Sequence, residues 1–311
     1  MIDTNIWFWV GFIAFVLAML ALDLGVFHRK AHEVRPKEAA AWTVVWVSLA
    51  LAFAGGLFFF YGREVGLTFL TGYIIEESLS VDNIFVMVLI FEYFRVPKVS
   101  QHRVLFYGIL GALVMRGVFI GLGAVLIARF EWILYLFGAM LVITGVRMAI
   151  KQEEEFSGED NPIVKLVRRL VPMSPRYDGK HFFTIENGKR LATPLLLVLI
   201  LVEFTDLIFA VDSIPAIFGV TKDPFIVFTS NIFAILGLRS LYFLLAAVVD
   251  RFYLLKYGLA LILTFVGVKM LGEKLFHVDI VVSLAIILSI LSLSIIASII
   301  WPRKTPVDVG R

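Results

Sequence analysis

Apolar residues fall in nine blocks, each close to the ~20 residues a helix needs to cross ~30 Å of hydrocarbon. They cover 6–27, 39–61, 67–94, 104–128, 132–150, 193–219, 225–249, 253–272 and 279–301. Backbone groups in lipid must be satisfied internally, and runs this long do not suit barrel strands, so helices are the only option. The chain is 60% hydrophobic and 17% charged, whereas a soluble domain carries roughly a quarter charged residues. The expected fold class is therefore all-α: a polytopic membrane protein of about nine transmembrane helices.

Loop charge sets the expected orientation. One set of loops carries twenty of the 28 basic residues, from Arg29 through the 151–190 stretch to Arg311. The alternate loops hold only Arg63, Arg129, Lys222 and Lys274. This asymmetry predicts an outside N-terminus and a cytoplasmic C-terminus, as nine spans require. Met1-Ile2-Asp3-Thr4-Asn5 lacks a basic n-region, so the first block reads as a retained helix rather than a cleaved signal. The net charge of +3 is no signature of nucleic-acid binding.

The one sizeable polar segment, 151–192, is expected as a cytoplasmic loop. Ile163–Leu170 within it reads as a short basic amphipathic helix at the lipid surface. Asn187-Gly188 reads as a hairpin turn. A structural connector is the plainer reading of this segment.

The halves on either side of 151–192 resemble each other. Glu76-x5-Asp82-Asn83-Ile84 aligns with Asp206-x5-Asp212-Ser213-Ile214, Arg116 with Arg239, and Gly138–Met148 with Gly258–Met270. Spans 3–5 and 6–8 then form one repeated unit of three helices. Three is odd, so the second unit must run with opposite polarity, giving a 3+3 inverted repeat of the kind found in secondary transporters. The expected organisation is a single transmembrane transporter domain over 1–311. It divides into two peripheral helices (6–61), repeat 1 (67–150), the loop 151–192, repeat 2 (193–272) and a final helix (279–301).

The first helix of each unit carries acids at membrane depth, where each charge costs roughly 2.5–3.5 kcal/mol on insertion scales. These are Glu76, Asp82, Glu203, Asp206 and Asp212, with Asn83 and Ser213 beside them. At 100° per residue, Glu76, Ser80 and Asn83 share a face, as do Glu203, Asp206 and Ser213. Asp82 and Asp212 point elsewhere unless the helices unwind. A break near Asp82-Asn83, and another near Asp212 assisted by Pro215, is therefore expected; it would also expose backbone carbonyls.

This ligand set is all hard oxygen. The chain has no Cys, and its histidines (His28, His32, His102, His181, His277) fall at loops or helix ends. Such a set favours Mn²⁺, Ca²⁺ or Mg²⁺ over Cu⁺ or Zn²⁺. Five deep acids face two deep cations, Arg116 and Arg239, which read as structural counter-ions. The residual negative charge would be met by one divalent ion and a proton competing for the same oxygens. Met87, Met115 and Met140 read as packing, Arg147 and Lys269 as snorkelling side chains, and Glu92 as interfacial. Glu77 and Asp23 have no assigned role. The bland alternative is that buried ion pairs merely fasten helices together. No nucleophile–base pair, phosphate loop or metalloprotease motif is present, so no enzyme activity and no cofactor are expected.

Gly72-Tyr73-Ile74-Ile75-Glu76-Glu77-Ser78-Leu79-Ser80-Val81-Asp82-Asn83 and Glu203-Phe204-Thr205-Asp206-x5-Asp212-Ser213-Ile214-Pro215 resemble the two signature segments of the TerC family. Thr229-Ser230-Asn231 through Arg239, and Leu255-Lys256-Tyr257-Gly258, resemble its Alx branch. The resemblance implies a bacterial inner-membrane protein tied to Mn²⁺ export, with an association with tellurite resistance. It places functional acids at Glu76, Asp82, Glu203, Asp206 and Asp212. Export of another divalent cation, or a role in a metal-stress or metalation complex, are the alternatives.

Overall fold

The computed structural model describes residues 6–25, 36–150, 161–246, 252–276 and 278–301. His28, His32, His277 and the Asp23 side chain lie outside the described residues. Ten helices dominate: α1 (Ile6–Gly25), α2 (Pro36–Tyr61), α3 (Arg63–Tyr93), α4 (Lys98–Arg129), α5 (Ile133–Ile150), α6 (Pro162–Leu170), α7 (Pro194–Phe218), α8 (Pro224–Leu245), α9 (Leu255–Leu271) and α10 (Ile280–Ile300). A two-stranded hairpin, β1 (Phe183–Glu186) and β2 (Lys189–Ala192), precedes α7. Each apolar block of the sequence coincides with one long helix, to within a few residues except at the start of α4, where a polar first turn extends it back to Lys98.

Six of these helices, α2, α4, α5, α7, α8 and α10, are long and apolar enough to cross a membrane. The others stand apart. The side chains of α1 are described over Ile6–Leu22 alone, α9 has 17 residues, and α3 carries Glu76, Glu77 and Asp82 in its middle. The protein is thus an all-α, multi-pass integral membrane protein.

The expected helix breaks are absent. α3 runs unbroken through Asp82 and Asn83, and α7 runs unbroken through Asp212 to Phe218. The reason is local. Between Tyr73 and Tyr93 there is no Gly or Pro to interrupt the hydrogen-bond ladder. Pro215 lies within the last turn of α7, where its missing N–H removes a single bond and little helix remains to be redirected.

Six helices form the core. α3 packs on α8 and α4 on α7; α3 also meets α7, α4 meets α8, and α5 lies against α9. Exchanging α3 with α7, α4 with α8 and α5 with α9 maps these principal contacts onto themselves. Lipid tails are as apolar as leucine, so close backbone packing rather than burial must join such helices. The α5–α9 pair does this with glycine. A Cβ on Gly267 would lie 2.7 Å from the Gly138 carbonyl oxygen, and one on Gly145 would lie 2.6 Å from that of Ala260. α2 lies against α3 and α8, and α10 against α9 and α3; both are exposed on most of their surface. α8, by contrast, is enclosed along nearly its whole length.

Connections gather at two ends. The α4–α5, α7–α8 and α9–α10 connections meet around a 310 Å³ depression lined by Leu134, Lys222, Asp223 and Glu273. The segment 161–193 docks at the opposite set of loops. Asn161 caps α6 by accepting from Ile163 N at 2.9 Å, and Val164 and Val167 turn inward. The hairpin turns through Asn187 (φ 51°) and Gly188 (φ 74°), both in the left-handed region that a two-residue hairpin loop requires. Tyr177 donates to the Phe94 carbonyl at 2.7 Å, Ser100 donates to the Gly179 carbonyl at 3.0 Å, and the Arg103 guanidinium stacks 5.0 Å above Phe182. Burial pushes the Tyr177 phenol up to about 12, which keeps its donor proton in place. The amphipathic helix and hairpin read from the sequence are both present, joined to the α3–α4 connection.

Candidate functional site

Where α3, α4, α7 and α8 meet, five polar side chains form a closed network inside the core. Arg116, from α4, is 2% exposed and lies between two carboxylates. Its NH1 donates to Glu76 Oε1 on α3 and, at 2.9 Å, to Asn231 Oδ1 on α8. Its NH2 and Nε donate to the two oxygens of Asp206 on α7, at 2.9 and 3.3 Å. Asn231 Nδ2 returns a hydrogen bond to Glu76 Oε2 at 3.1 Å, and Asn83 Nδ2 donates to Asp206 Oδ1 at 2.9 Å. The planar guanidinium suits this task because its donors form a rigid fork, which engages Asp206 bidentately.

Why the chain delivers these groups to one point follows from helical phase. Glu76 and Asn83 are seven residues apart, two turns along one face of α3. Gly72, one turn before Glu76, lets α8 approach: a Cβ there would meet Ser230 Oγ at 2.9 Å. That approach sets Asn231 beside Glu76. Two carboxylates and one guanidinium leave the network with one net negative charge.

Among the described residues three buried side-chain oxygens have no hydrogen-bond partner: Asn83 Oδ1, Ser213 Oγ and, on another face of α3, Glu77 Oε2. Buried polar atoms are ordinarily paired, so each such orphan calls for an explanation. Asn83 and Ser213 occupy equivalent positions in the two aligned segments. Both are acceptors that a bound cation would satisfy.

The remaining acids lie apart from this network. Glu203, half-buried and one turn before Asp206, presses its carboxylate onto α4 at Gly111, where a Cβ would collide with it. Asp212 accepts from Thr144 Oγ1 of α5 at 3.0 Å. Asp82 is half-buried on α3. With both helices intact, Asp82 and Asp212 turn away from the Glu76 and Asp206 faces, as the 100° phase dictates. Among the described residues no three acidic or histidine side chains converge as a metal cluster. The conformation seen gathers an arginine-held acid pair, not all five acids.

Arg239 is 6% exposed. Together with Asp206, Met87, Gly108 and Ala112 it lines a cavity of about 10 Å³, enough for about one water molecule. Glu77 faces the other way, toward α2 and α8: its Oε1 lies 3.9 Å from where a Gly237 Cβ would be, and its Oε2 is buried without a partner. Lys269, in the last turn of α9, reaches the depression at that end of the bundle and donates to Ser283 Oγ in the first turn of α10 at 3.1 Å. Glu92 and Arg147 are exposed. Asn231 was not among the expected site residues. The signal was there in Thr229-Ser230-Asn231, three consecutive polar residues inside an apolar helix, all fully buried.

A family profile described as integral membrane protein TerC family matches residues 61–306. The chain belongs to the TerC family. The match begins one residue before the α2–α3 turn and takes in every residue of the network. Among similar TerC-family relatives, a membrane protein of Myxococcus xanthus is 56% identical over 298 residues, 96% of this chain and 93% of its own length. A protein of Escherichia coli (strain K12) named as a membrane-bound redox modulator, Alx, is 53% identical over 297 residues, covering 93% of this chain and 92% of its own. A membrane protein of Rickettsia bellii is 40% identical over 300 residues. No solved structure matches this TerC chain.

Proposed function

We propose that this TerC-family protein is a divalent-cation transporter of the bacterial inner membrane. Its cargo is Mn²⁺, exported from the cytoplasm in exchange for protons. The observation that carries the reading is the arginine-held pair Glu76–Asp206 in the core, with Asn83 bonded to Asp206 and its Oδ1 left without a partner, as is Ser213 Oγ two turns farther along α7. A network serving only to fasten helices has no use for unsatisfied acceptors or for a residual negative charge. A hard cation would satisfy both. Asp82, Glu203 and Asp212, spaced along the same two helices, are proposed as further oxygen ligands along the ion's path.

The inverted repeat and the nine-span topology belong to this proposal. Their support is the exchange of core contacts between α3–α5 and α7–α9, and the sorting of the loops. The connections at Arg129, Lys222 and Lys274 share one end, while 161–193 docks at the α3–α4 connection at the other end. Rocking one repeat against the other would alternate access to the acid pair. Lipid and protons are the remaining partners in the proposal.

The name of the Escherichia coli relative speaks of redox modulation. This chain contains no Cys, so a thiol relay within it is ruled out. Control of a redox-active cation such as manganese would act on redox state without any redox group of its own.

Purified protein in proteoliposomes is expected to move Mn²⁺, with Ca²⁺ slower and Zn²⁺ slowest, and to acidify the metal-loaded side as the metal leaves it. Asp212→Asn is expected to reduce the rate by roughly 10-fold or more, the scale of lost or misdirected metal ligands. No flux of any divalent ion would remove the transport reading. Normal flux in Asp212→Asn would remove Asp212 from the path.

A further inference from the structure

We infer that Arg116 is a resident stand-in for the transported cation: it holds Glu76 and Asp206 when the ion is absent, and it must withdraw for the ion to bind. The inference rests on the transport reading above and adds a competitor within the protein itself.

Three observations carry it. First, the guanidinium occupies the place between the two carboxylates, with NH1 on Glu76 and both NH2 and Nε on Asp206. A divalent ion seated between the same carboxylates would overlap it in space and repel it in charge. The two occupants are therefore mutually exclusive. Second, the cavity described beside the site has no room for a side chain of that size. The adjoining cavity, about 10 Å³ and lined by Gly108, Ala112 and Asp206, holds about one water. Withdrawal of Arg116 thus requires α4 to move relative to α3 and α7, which couples site occupancy to helix position. Third, Asn231 braces the arginine-held state on both sides, accepting from Arg116 and donating to Glu76. It contributes to the bound arginine without being needed by the ion.

The consequence is a built-in means of release. When Arg116 returns, it takes over the oxygens that the ion had used, so two buried carboxylates are never left bare. A ligand whose site is occupied by an internal competitor binds more weakly by the fraction of time the site is free. Removing the competitor must tighten binding and slow release. A merely structural arginine gives the opposite sign, because its loss loosens the site.

The test uses full-length protein in nanodiscs with Mn²⁺ alone as probe. Binding is read from the free-ion paramagnetic resonance signal, and efflux is followed in proteoliposomes. Arg116→Met is expected to bind Mn²⁺ about tenfold more tightly than the native chain and to turn over more slowly. Asn231→Leu, which loosens the hold on Arg116 without removing a charge, is expected to tighten binding about threefold, the scale of one intramembrane hydrogen bond. If Arg116→Met does not fold, Asn231→Leu decides alone. Unchanged or weaker binding in the folded variants, with the native chain binding and transporting Mn²⁺, overturns the role of Arg116 and leaves transport standing. Absence of both binding and flux in the native chain overturns the transport reading and this inference with it.

Discussion

Asp206→Ala is expected to destabilise the protein by about 1–3 kcal/mol, the cost of leaving buried hydrogen-bond donors without an acceptor. Asp206 accepts three hydrogen bonds, two from Arg116 and one from Asn83. Its loss leaves two of the Arg116 donors without an acceptor in a core where that side chain is 2% exposed, while Glu76 still pairs with the guanidinium. Asn83→Ala removes only one of those bonds, and intramembrane hydrogen bonds average about 0.6 kcal/mol in double-mutant cycles. The number of donors left without an acceptor therefore decides the outcome, and the two variants should separate. Unfolding followed by circular dichroism in detergent measures both. If Asp206→Ala were no worse than Asn83→Ala, the ion pair would contribute nothing to holding α4 against α7.

Glu76→Gln is expected to leave the fold nearly intact and to cut Mn²⁺ flux by more than about 100-fold. Glutamine keeps an oxygen that can accept from Arg116, and only the hydrogen bond from Asn231 Nδ2 is lost, a cost of about 0.6 kcal/mol. The network then has one cation and one anion and no residual charge. Lost outer-sphere support alone costs 10–100-fold in metal affinity, and a lost carboxylate ligand should cost more. Charge repulsion adds to this. A divalent ion ~4 Å from a guanidinium, at an effective dielectric near 20, meets roughly 8 kcal/mol of repulsion. Two carboxylates are needed for an approaching ion to displace the guanidinium. The measurement is proteoliposome flux beside an unfolding curve. Loss of both flux and stability together would point to a structural role for Glu76.

The sequence was most informative where physics is local. Length and hydropathy located the long apolar helices, six of which can cross a membrane, and Asn187-Gly188 marked the hairpin because few residue pairs tolerate two positive φ angles. Helical phase put Glu76, Ser80 and Asn83 on one face of α3 and Glu203, Asp206 and Ser213 on one face of α7, and all of these are buried except Glu203, which is half-buried. The same phase argument was then overridden by an expected break at Asp82 and Asp212. The helices stay whole because α3 lacks a breaking residue there and Pro215 comes too late in α7 to matter. Partner identity was not legible. That Arg116 would choose both Glu76 and Asp206, that Asn231 would brace it, and that Thr144 would take Asp212 depend on how four helices are offset along their axes. Glycines set those offsets: Gly72 against Ser230, Gly111 against Glu203 and Gly138 against Gly267. A small residue in an apolar helix announces close approach without naming the neighbour.

The most direct measurement is an experimental structure of the protein equilibrated with Mn²⁺, with anomalous diffraction collected at the manganese edge. The expected result is a peak bounded by carboxylate oxygens of Glu76 and Asp206, with Asn83 Oδ1 turned to it and the Arg116 guanidinium displaced. A peak confined to the protein surface, or Arg116 still bridging the two carboxylates at saturating Mn²⁺, would contradict the claim that a hard cation passes through this pair.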